Sequence, residues 1–522
     1  MRADCQVPAQ KLVRQMKIFR KEEMQRLEKA AGEAGVTMAR LMDGAGKALA
    51  REIEKRLRPI AGRRVVLLCG NGNNGGDGFV CAQALQSHGA SCTVLLLQGP
   101  PKTELSAAAF AKLSPEAEVL NVERGEEAAR IALEQAECIV DCVFGFGFRG
   151  EMPQQIARWL ARANRVDCLK ISADLPSGAE CDSARVSPGA FSADCTVAFT
   201  AKKPVHCSYP AKEFCGEVIV AQVGVPQVLI EAAEPKVFET DAAFVQSVLP
   251  VLSEQDNKGN RGRLLLVCGS YGMAGACMMA ARAALRCGVG LLHLAVEKKL
   301  YPILAQAVPE AVFTILDPEG SRRESDEKLC AALEKASACL IGCGLGDLSD
   351  YFAPVVFSHG AAPMVADADA LNFLSRHPGV LEDVEAPLVL TPHPGEMARL
   401  CGDEVREIQA DRLTAALMKA RETGAVVTLK GAATVTAASD GRCAVNPTGN
   451  PGMAKGGSGD VLAGIIASLL AQGVPAFEGA AAGVWLHGMA GDLAAQRLTQ
   501  RAMLPTDLIE ELPRVFLALQ ME

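Results

Sequence analysis

In Asn450-Pro-Gly-Met-Ala-Lys-Gly-Gly-Ser-Gly-Asp-Val-Leu-Ala-Gly464, Gly456, Gly457 and Gly459 let the backbone turn tightly, and an apolar run of helical character, 461–471, follows at once. The arrangement aims backbone N–H groups and a helix N-terminus at one point, a site for a phosphate or a developing anion. Asp460 sits at the mouth of that site. A carboxylate there gains from the helix dipole, yet it repels a phosphate unless it is accepting a proton from a hydroxyl being phosphorylated. Loop, acid and helix together point to phosphoryl transfer to an alcohol. A glycine cluster alone reads equally well as a flexible turn ahead of a core helix; Asp460 tips the balance towards chemistry.

Outward from this stretch, the chain divides near its middle. Helical periodicity over 19–57 is followed by alternating strands and helices: Arg64-Val-Val-Leu-Leu-Cys69, a helix from about Gly78, Ser91-Cys-Thr-Val-Leu-Leu-Leu97, a helix around 126–135 and Cys138-Ile-Val-Asp141. Further apolar runs lie at 168–173, 195–199 and 218–220. Buried parallel strands separated by helices make a doubly wound sheet. A looser passage, rich in proline and charge, covers 224–255, and the pattern restarts at Arg263-Leu-Leu-Leu-Val-Cys268. The fold class expected is therefore α/β with two domains, 1–235 and 236–522. The halves do not look like copies.

Composition fits a cytoplasmic enzyme of that size. Of 522 residues 49% are apolar and 22% charged, enough for a core in each half. A net charge of −8 with no long basic run argues against a nucleic-acid surface. The nineteen cysteines are scattered singly with no Cys-x-x-Cys pair, so they read as buried thiols in a reducing compartment. Residues 1–19 are polar and lack the apolar core of a leader peptide. The charge-free run 461–477 contains Gly464, Ser468, Gln472, Gly473 and Pro475, and reads as a buried helix, not a membrane span.

The N-terminal half has its own glycine-rich turns at strand ends. Gly70-Asn-Gly-Asn-Asn-Gly-Gly-Asp-Gly78 follows the strand at 64–69, in the position of a dinucleotide loop but without its Gly-x-Gly-x-x-Gly spacing. Its Asn73, Asn74 and Asp77 offer oxygens and amides suited to hydroxyl groups or a monovalent cation. Asp141-Cys-Val-Phe-Gly-Phe-Gly-Phe-Arg-Gly150 and Asp174-Leu-Pro-Ser-Gly178 follow later strands. Acids at the carboxyl ends of successive parallel strands converge on one crevice.

These three loops resemble the epimerase family that acts on hydrated NADH and NADPH. The second half resembles the matching dehydratase, a ribokinase-like fold, in Val267-Cys-Gly-Ser-Tyr-Gly-Met-Ala-Gly-Ala276, Gly342-Cys-Gly-Leu-Gly346, Asp367-Ala-Asp-Ala-Leu371, Thr391-Pro-His-Pro-Gly-Glu396, Leu429-Lys-Gly-Ala-Ala-Thr434 and the opening stretch. The likeness runs from about Lys17 to near the C-terminus, epimerase first. It implies a Rossmann-like doubly wound α/β/α sandwich followed by a ribokinase-like α/β/α domain. The hydrated cofactor carries a hydroxyl at C6, beside the ring nitrogen, and exists as two epimers because that carbon loses hydroxide and regains water on either face. The likeness implies that the first half interconverts the epimers and the second restores NADH or NADPH from the S form, with ADP as phosphoryl donor (ATP as the other candidate). Phosphate would leave C6 far more readily than hydroxide.

Roles follow position by position from the resemblance. Asp460 matches the base that takes the hydroxyl proton, and Gly457, Ser458 and Gly459 the anion hole, with Gly459 also against the nucleotide. Lys430, Gly431, Ala432, Ala433 and Thr434 match a nucleotide-binding segment. Ala276, Gly346, His393 and Asp460 match the hydrate pocket of the dehydratase. In the first half, Asn73, Asn74, Gly75, Gly76 and Asp77, together with Gly145, Phe146, Gly147, Phe148, Arg149, Gly150 and Glu151, match the substrate loops. Asp174 is the acid–base candidate and a substrate contact, with Lys203 a binding or charge-stabilising one. Asn74, Asp141 and Ser177 match a potassium site, and Mg2+ is expected from phosphoryl-transfer chemistry. The partners expected are the small molecules NADHX and NADPHX, with no nucleic acid and no membrane, on a homo-oligomer.

Three places depart from the family pattern. Phe146 and Phe148 stand where a small or hydroxylated residue is more usual, Cys343 where proline is, and the Lys202-Lys203-Pro204-Val205 turn lacks a glycine after its proline. Two other readings fit parts of the chain. A small-alcohol kinase, for a vitamin precursor or sugar, would use the same glycine-rich loop; separately, the N-terminal half could serve as a non-catalytic binding module or oligomerisation platform.

Overall fold

The computed structural model describes residues 16–521. The stretch 1–15, which carries most of the region read as lacking a leader, and Cys5 lie outside it. Among the described residues the chain forms two compact units, one over Lys17–Val237 and one over 238–408 and 415–521.

The first unit is built on seven parallel strands in the spatial order Glu118–Asn121, Ser91–Leu96, Arg64–Cys69, Cys138–Cys142, Leu169–Ala173, Cys195–Phe199, Glu217–Ala221. The strand side chains alternate between faces as a pleated strand requires. Val65, Leu67 and Cys69 enter one core layer with Phe79, Leu85 and Ile53, while Val66 and Leu68 enter another with Ile156, Trp159 and Leu160. Both faces are covered, so the strands read as unbroken apolar runs. The winding direction reverses between the strands at 64–69 and 138–142, which opens a crevice at their carboxyl ends.

The periodicity over 19–57 resolves into two helices, Lys21–Glu33 and Met38–Arg56, the second capped by Thr37. One expectation is corrected. The helix after the first strand begins at Asn73, not near Gly78, so Gly75, Gly76 and Gly78 lie inside it and are buried. Their small size is a packing requirement. A Cβ on Gly75 would sit 2.1 Å from the Gly70 carbonyl oxygen, and one on Gly78 2.8 Å from the Cys69 sulfur.

The second unit carries parallel strands in the order Val312–Leu316, Leu291–Glu297, Arg263–Val267, Ala338–Ile341, Met364–Ala366, Leu388–Leu390, Val426–Leu429, extended by the antiparallel Val435–Ala437 and Cys443–Val445. Numbered along the chain, the parallel strands of each unit run 3-2-1-4-5-6-7. The two halves share a winding although their sequences do not resemble one another.

The glycine-rich stretch leads into the helix Ser458–Ala471, whose side chains are buried almost throughout. Among the described residues no helix is long and apolar enough to cross a membrane. The helix packs on Ala274–Arg286 so closely that a Cβ on Gly464 would lie 2.2 Å from the Ala280 carbonyl oxygen. Gly464→Ala should therefore destabilise this unit by about 1–3 kcal/mol, the usual cost of overpacking. Denaturant unfolding of the purified variant measures it.

The cysteines behave as expected where they are described. Among the described residues the eighteen cysteines form no disulfide, and all but Cys168, Cys330 and Cys401 are buried.

Candidate functional site

In the second unit the carboxyl ends of the strands gather charged groups around the start of the 458–471 helix. Gly457 takes the N-cap position at φ 101°, and Asp460 is the third helical residue. The amide of Ser458 donates to the Lys455 carbonyl at 3.2 Å. Among the described residues the amides of Gly457 and Gly459, the other two anion-hole residues read from the sequence, make no such bond. Ser458 contributes otherwise: its hydroxyl lies 3.2 Å from His487 Nε2. Burial pushes that histidine down to about 4, so it is neutral.

Asp367, at the end of the 364–366 strand, is buried and takes hydrogen bonds from Lys430 Nζ (2.5 Å) and Thr391 Oγ1 (2.8 Å). Lys430 also lies 3.8 Å from Glu396. Burial pulls its pKa down, but Asp367 and Glu396 more than offset this and hold it above the ordinary lysine value. The lysine expected to meet phosphates is therefore already held by two carboxylates. A Cβ on Gly459 would lie 3.3 Å from Lys430 Nζ, which brings the 430–434 loop and the helix start to one place.

Desolvation, then the neighbouring Asp367, push Asp460 up to about 6, against hydrogen bonding from Cys343 and the Lys430 charge. Cys343, Asp367 and Asp460 offer ligand atoms within 4.8 Å of one another. The two carboxylates suit a hard cation such as Mg2+; the thiol does not.

Between its two prolines His393 has an extended backbone, at φ −79° and ψ 167°. It caps the helix Pro394–Cys401, and its Nδ1 accepts from Gly395 N (3.0 Å) and Glu396 N (3.3 Å). That leaves Nε2 as the proton-bearing nitrogen, 3.5 Å from Glu396, with the side chain half exposed. Ala276 and the 342–346 loop come together: a Cβ on Gly344 would meet that of Ala276 at 2.8 Å. Gly346 N donates to Asp369 at 2.7 Å.

In the first unit the crevice is a cavity of about 540 Å³, within the range of small-molecule sites. Asn73, Asn74, Asp77, Gly145, Phe146, Gly147, Phe148, Asp174 and Lys203 line it. Gly75, Gly76, Arg149, Gly150 and Glu151, grouped with them from the sequence, do not. The first two pack inside the helix, and Gly150 N donates to Glu180 at 2.8 Å. The Phe148 ring packs on Phe144 with centroids 5.0 Å apart, while Phe146 rests against a separate apolar cluster around Leu175.

Asp174 adopts φ 63°, in the left-handed region, and is buried. Its Oδ1 accepts from Phe199 N (2.9 Å) and from the Lys203 ammonium, itself only 1% exposed. His206 locks the pair: Nδ1 accepts from Lys203 N (2.9 Å) and Nε2 meets the Asp174 carbonyl (2.7 Å). Burial, then the Lys203 charge, push this histidine down to about 4. Asp77 is raised well above the carboxylate range by burial and by Asp174 and Glu28.

Beneath the cavity, Ser177 donates to both oxygens of Asp141, from Oγ (2.6 Å) and N (2.7 Å). Asp141 is fully buried, is pushed up to about 6 by that burial, and has no lysine or arginine partner among the described residues. Asn74 carries a buried amide nitrogen without a hydrogen bond. The two ends of an amide exchange on a flip, so the unpaired atom is equally its oxygen. A buried carboxylate, a hydroxyl and an unsatisfied amide fit a monovalent cation.

Four groups escaped the sequence reading. Asp367 obeys the same rule of acids at strand ends that found Asp174, and Glu396 lies in a quoted motif. Glu28 and His487 sit inside helices, where no local pattern distinguishes them.

Comparison with known proteins agrees with this division. Residues 264–514 match the family model described as NAD(P)H-hydrate dehydratase, and residues 38–205 the one described as YjeF-related protein N-terminus. The bifunctional NAD(P)H-hydrate repair enzyme Nnr of Moorella thermoacetica is 40% identical over 520 residues, covering 96% of each chain. Its Escherichia coli K12 counterpart is 34% identical over 500 residues, 95% of this chain and 93% of that one. Among solved structures, the ADP/ATP-dependent NAD(P)H-hydrate dehydratase of Bacillus subtilis, co-crystallised with ATP and Mg2+, is 32% identical. It aligns with 53% of this chain and 97% of its own, at a TM-score of 0.47.

Proposed function

The chain belongs to the bifunctional NAD(P)H-hydrate repair family, and from that premise we propose that its two sites act in sequence on one damaged cofactor. It is an enzyme with two activities, an NAD(P)H-hydrate epimerase and an NAD(P)H-hydrate dehydratase. We assign the first to residues 1–235 and the second to 236–522. The observation that carries the dehydratase assignment is Asp460, a carboxylate with a raised pKa three residues into a glycine-led helix and beside the Lys430–Asp367 pair.

In this reading Asp460 takes the proton of the C6 hydroxyl as that oxygen attacks the terminal phosphorus of ADP. The amides of Gly457 and Gly459 hold the developing charge on the transferred group. AMP is the leaving group of that transfer; phosphate then leaves C6 with the C–O bonding pair while the neighbouring ring carbon loses a proton, which restores the dihydronicotinamide. Lys430 to Thr434 border the nucleotide, and Ala276, Gly346 and His393 border the hydrate. Mg2+ would neutralise phosphate charge at the Asp367 and Asp460 carboxylates. In the first unit Asp174 exchanges protons with the C6 oxygen, with Lys203 fixing its charge. K+ at Asn74, Asp141 and Ser177 would neutralise the buried Asp141. A cytoplasmic homo-oligomer is the setting we propose.

The base must be ionised to work, so the raised pKa has a signed consequence. Dehydratase turnover should be level above pH 7 and fall as pH drops through about 6, where Asp460 takes up its proton. A pH–rate profile of kcat with the S form and ADP measures this.

The reading as a whole is tested by absorbance at 340 nm with both epimers, ADP and Mg2+. Complete conversion, faster than the epimers interconvert unaided, is expected. A halt at the one-epimer plateau would leave the first unit a binding module. No recovery with ADP or ATP, and instead a stable phosphorylated product from a small alcohol, would put the kinase reading first.

A further inference from the structure

Glu28 has no role in the two-site scheme, yet it faces the first site. It lies on the helix Lys21–Glu33, next to the buried Leu27 and one turn from the buried Met24. With Asp77, Asp174 and Lys203 it lines the 540 Å³ cavity. Among the described residues it makes no hydrogen bond and no ion pair. Asp174 differs, because one of its oxygens is held by Lys203 and a backbone amide. Two carboxyl groups from separate elements thus face one cavity, one paired with an ammonium and one unpartnered.

Exchange of the C6 hydroxyl between faces needs two proton operations. The departing hydroxyl must receive a proton, and the water that returns on the other face must lose one. A single carboxylate already committed to an ammonium supplies the second more readily than the first.

We propose that Glu28 is the second catalytic acid–base group of the epimerase site, working in tandem with Asp174. The inference rests on the epimerase reading of this unit. Glu28 gives its proton to the C6 hydroxyl as the C6–O bond breaks. The oxygen leaves as water with the bonding pair, and the ring nitrogen lone pair forms a C=N bond to C6. Water then adds to the other face through an oxygen lone pair, the C=N pair returns to nitrogen, and Asp174 accepts the surplus proton. Transfer of that proton across the cavity to Glu28 restores the starting state. In the reverse direction the two groups exchange roles, so one water leaves and one enters in either case.

The protonation this scheme needs agrees with the surroundings. Burial and then Asp174 raise the Glu28 pKa, against the pull of Lys203. The charged and titratable groups that share its cavity are Asp77, Asp174 and Lys203.

The test uses the full chain carrying Asp460→Asn, so that the dehydratase does not consume the S form. Starting from the pure S form, chromatography follows appearance of the R form. Adding Glu28→Gln should lower the interconversion rate by about 100-fold or more, while Glu28→Asp retains part of it. The parent's loss of rate on the alkaline side, where Glu28 sheds its proton, should be absent from the residual rate of Glu28→Gln. Its melting temperature should not fall, since an unpartnered, half-buried carboxyl is replaced by a neutral amide. A Glu28→Gln rate within about threefold of the parent would overturn the inference. So would a loss of rate together with a lowered melting temperature and no activity in Glu28→Asp, which would mark a structural residue. If the parent chain does not interconvert the epimers at all, the epimerase reading fails instead.

Discussion

Asp460→Asn will abolish recovery of absorbance at 340 nm from the S hydrate, with kcat reduced about 10²–10⁴-fold, the range for loss of a general base. The substitution is close to isosteric and keeps a polar group over the helix start. The carboxylate is pushed up to about 6 by burial and by Asp367, so removing its charge relieves a repulsion as well as forfeiting an attraction to the helix dipole. The dipole part is worth only about 0.3–1 kcal/mol. Stability should therefore change little while turnover collapses. A variant that melts like the parent and still turns over at a tenth of its rate would remove Asp460 from the role of base.

The second large effect is expected at Asp174, and there activity and stability should fall together. The Lys203 ammonium is 1% exposed and the Asp174 side chain 6%. Breaking a buried pair by removing one partner costs about 3–5 kcal/mol, because the remaining charge is left without compensation. Asparagine tolerates the left-handed backbone that Asp174 adopts at φ 63°, so the loss will not be confounded by strain. Asp174→Asn should stop conversion of an epimer mixture near the one-epimer plateau and lower the denaturant midpoint of the first unit. Adding Lys203→Met, which removes the stranded charge, should restore much of the midpoint and none of the epimerisation. Recovery of both would make the pair a structural bridge.

The parts of this molecule that could be read from sequence are those where adjacent residues carry the information. Arg64-Val-Val-Leu-Leu-Cys69 is apolar on both faces because both faces are covered, and each such run proved to be a parallel strand. The glycine-led helix start that carries Asp460 was readable because the turn, the helix N-terminus and the acid fall within four residues. The stretch 70–78 misled on one point, since a glycine kept small for helix packing and a glycine kept free for a turn look alike in sequence. Gly75 and Gly76 belong to the first kind. Long-range pairing was hidden: nothing near Lys203 indicates that its ammonium would be enclosed with a carboxylate 29 residues earlier. Glu28 was hidden for the same reason, one acid among several on a charged helix. His393 was singled out by its motif, but its capping role was not readable, because the local hydrogen bonds that make it a cap depend on a helix start its two prolines concealed.

The unpaired thiols provide a built-in reporter of opening. Each unit buries several, among them Cys69, Cys81 and Cys142 in the first and Cys268, Cys277 and Cys339 in the second. A bulky maleimide cannot reach them while the layers are closed, so each labelling event records an excursion in which a layer parted. Peptide-by-peptide mass measurement of the adducts would time those excursions separately for the two units, without introducing a probe. Substrate or nucleotide that tightens one unit would slow labelling in that unit, and the ratio of unslowed to slowed rates at a known ligand concentration would give its dissociation constant.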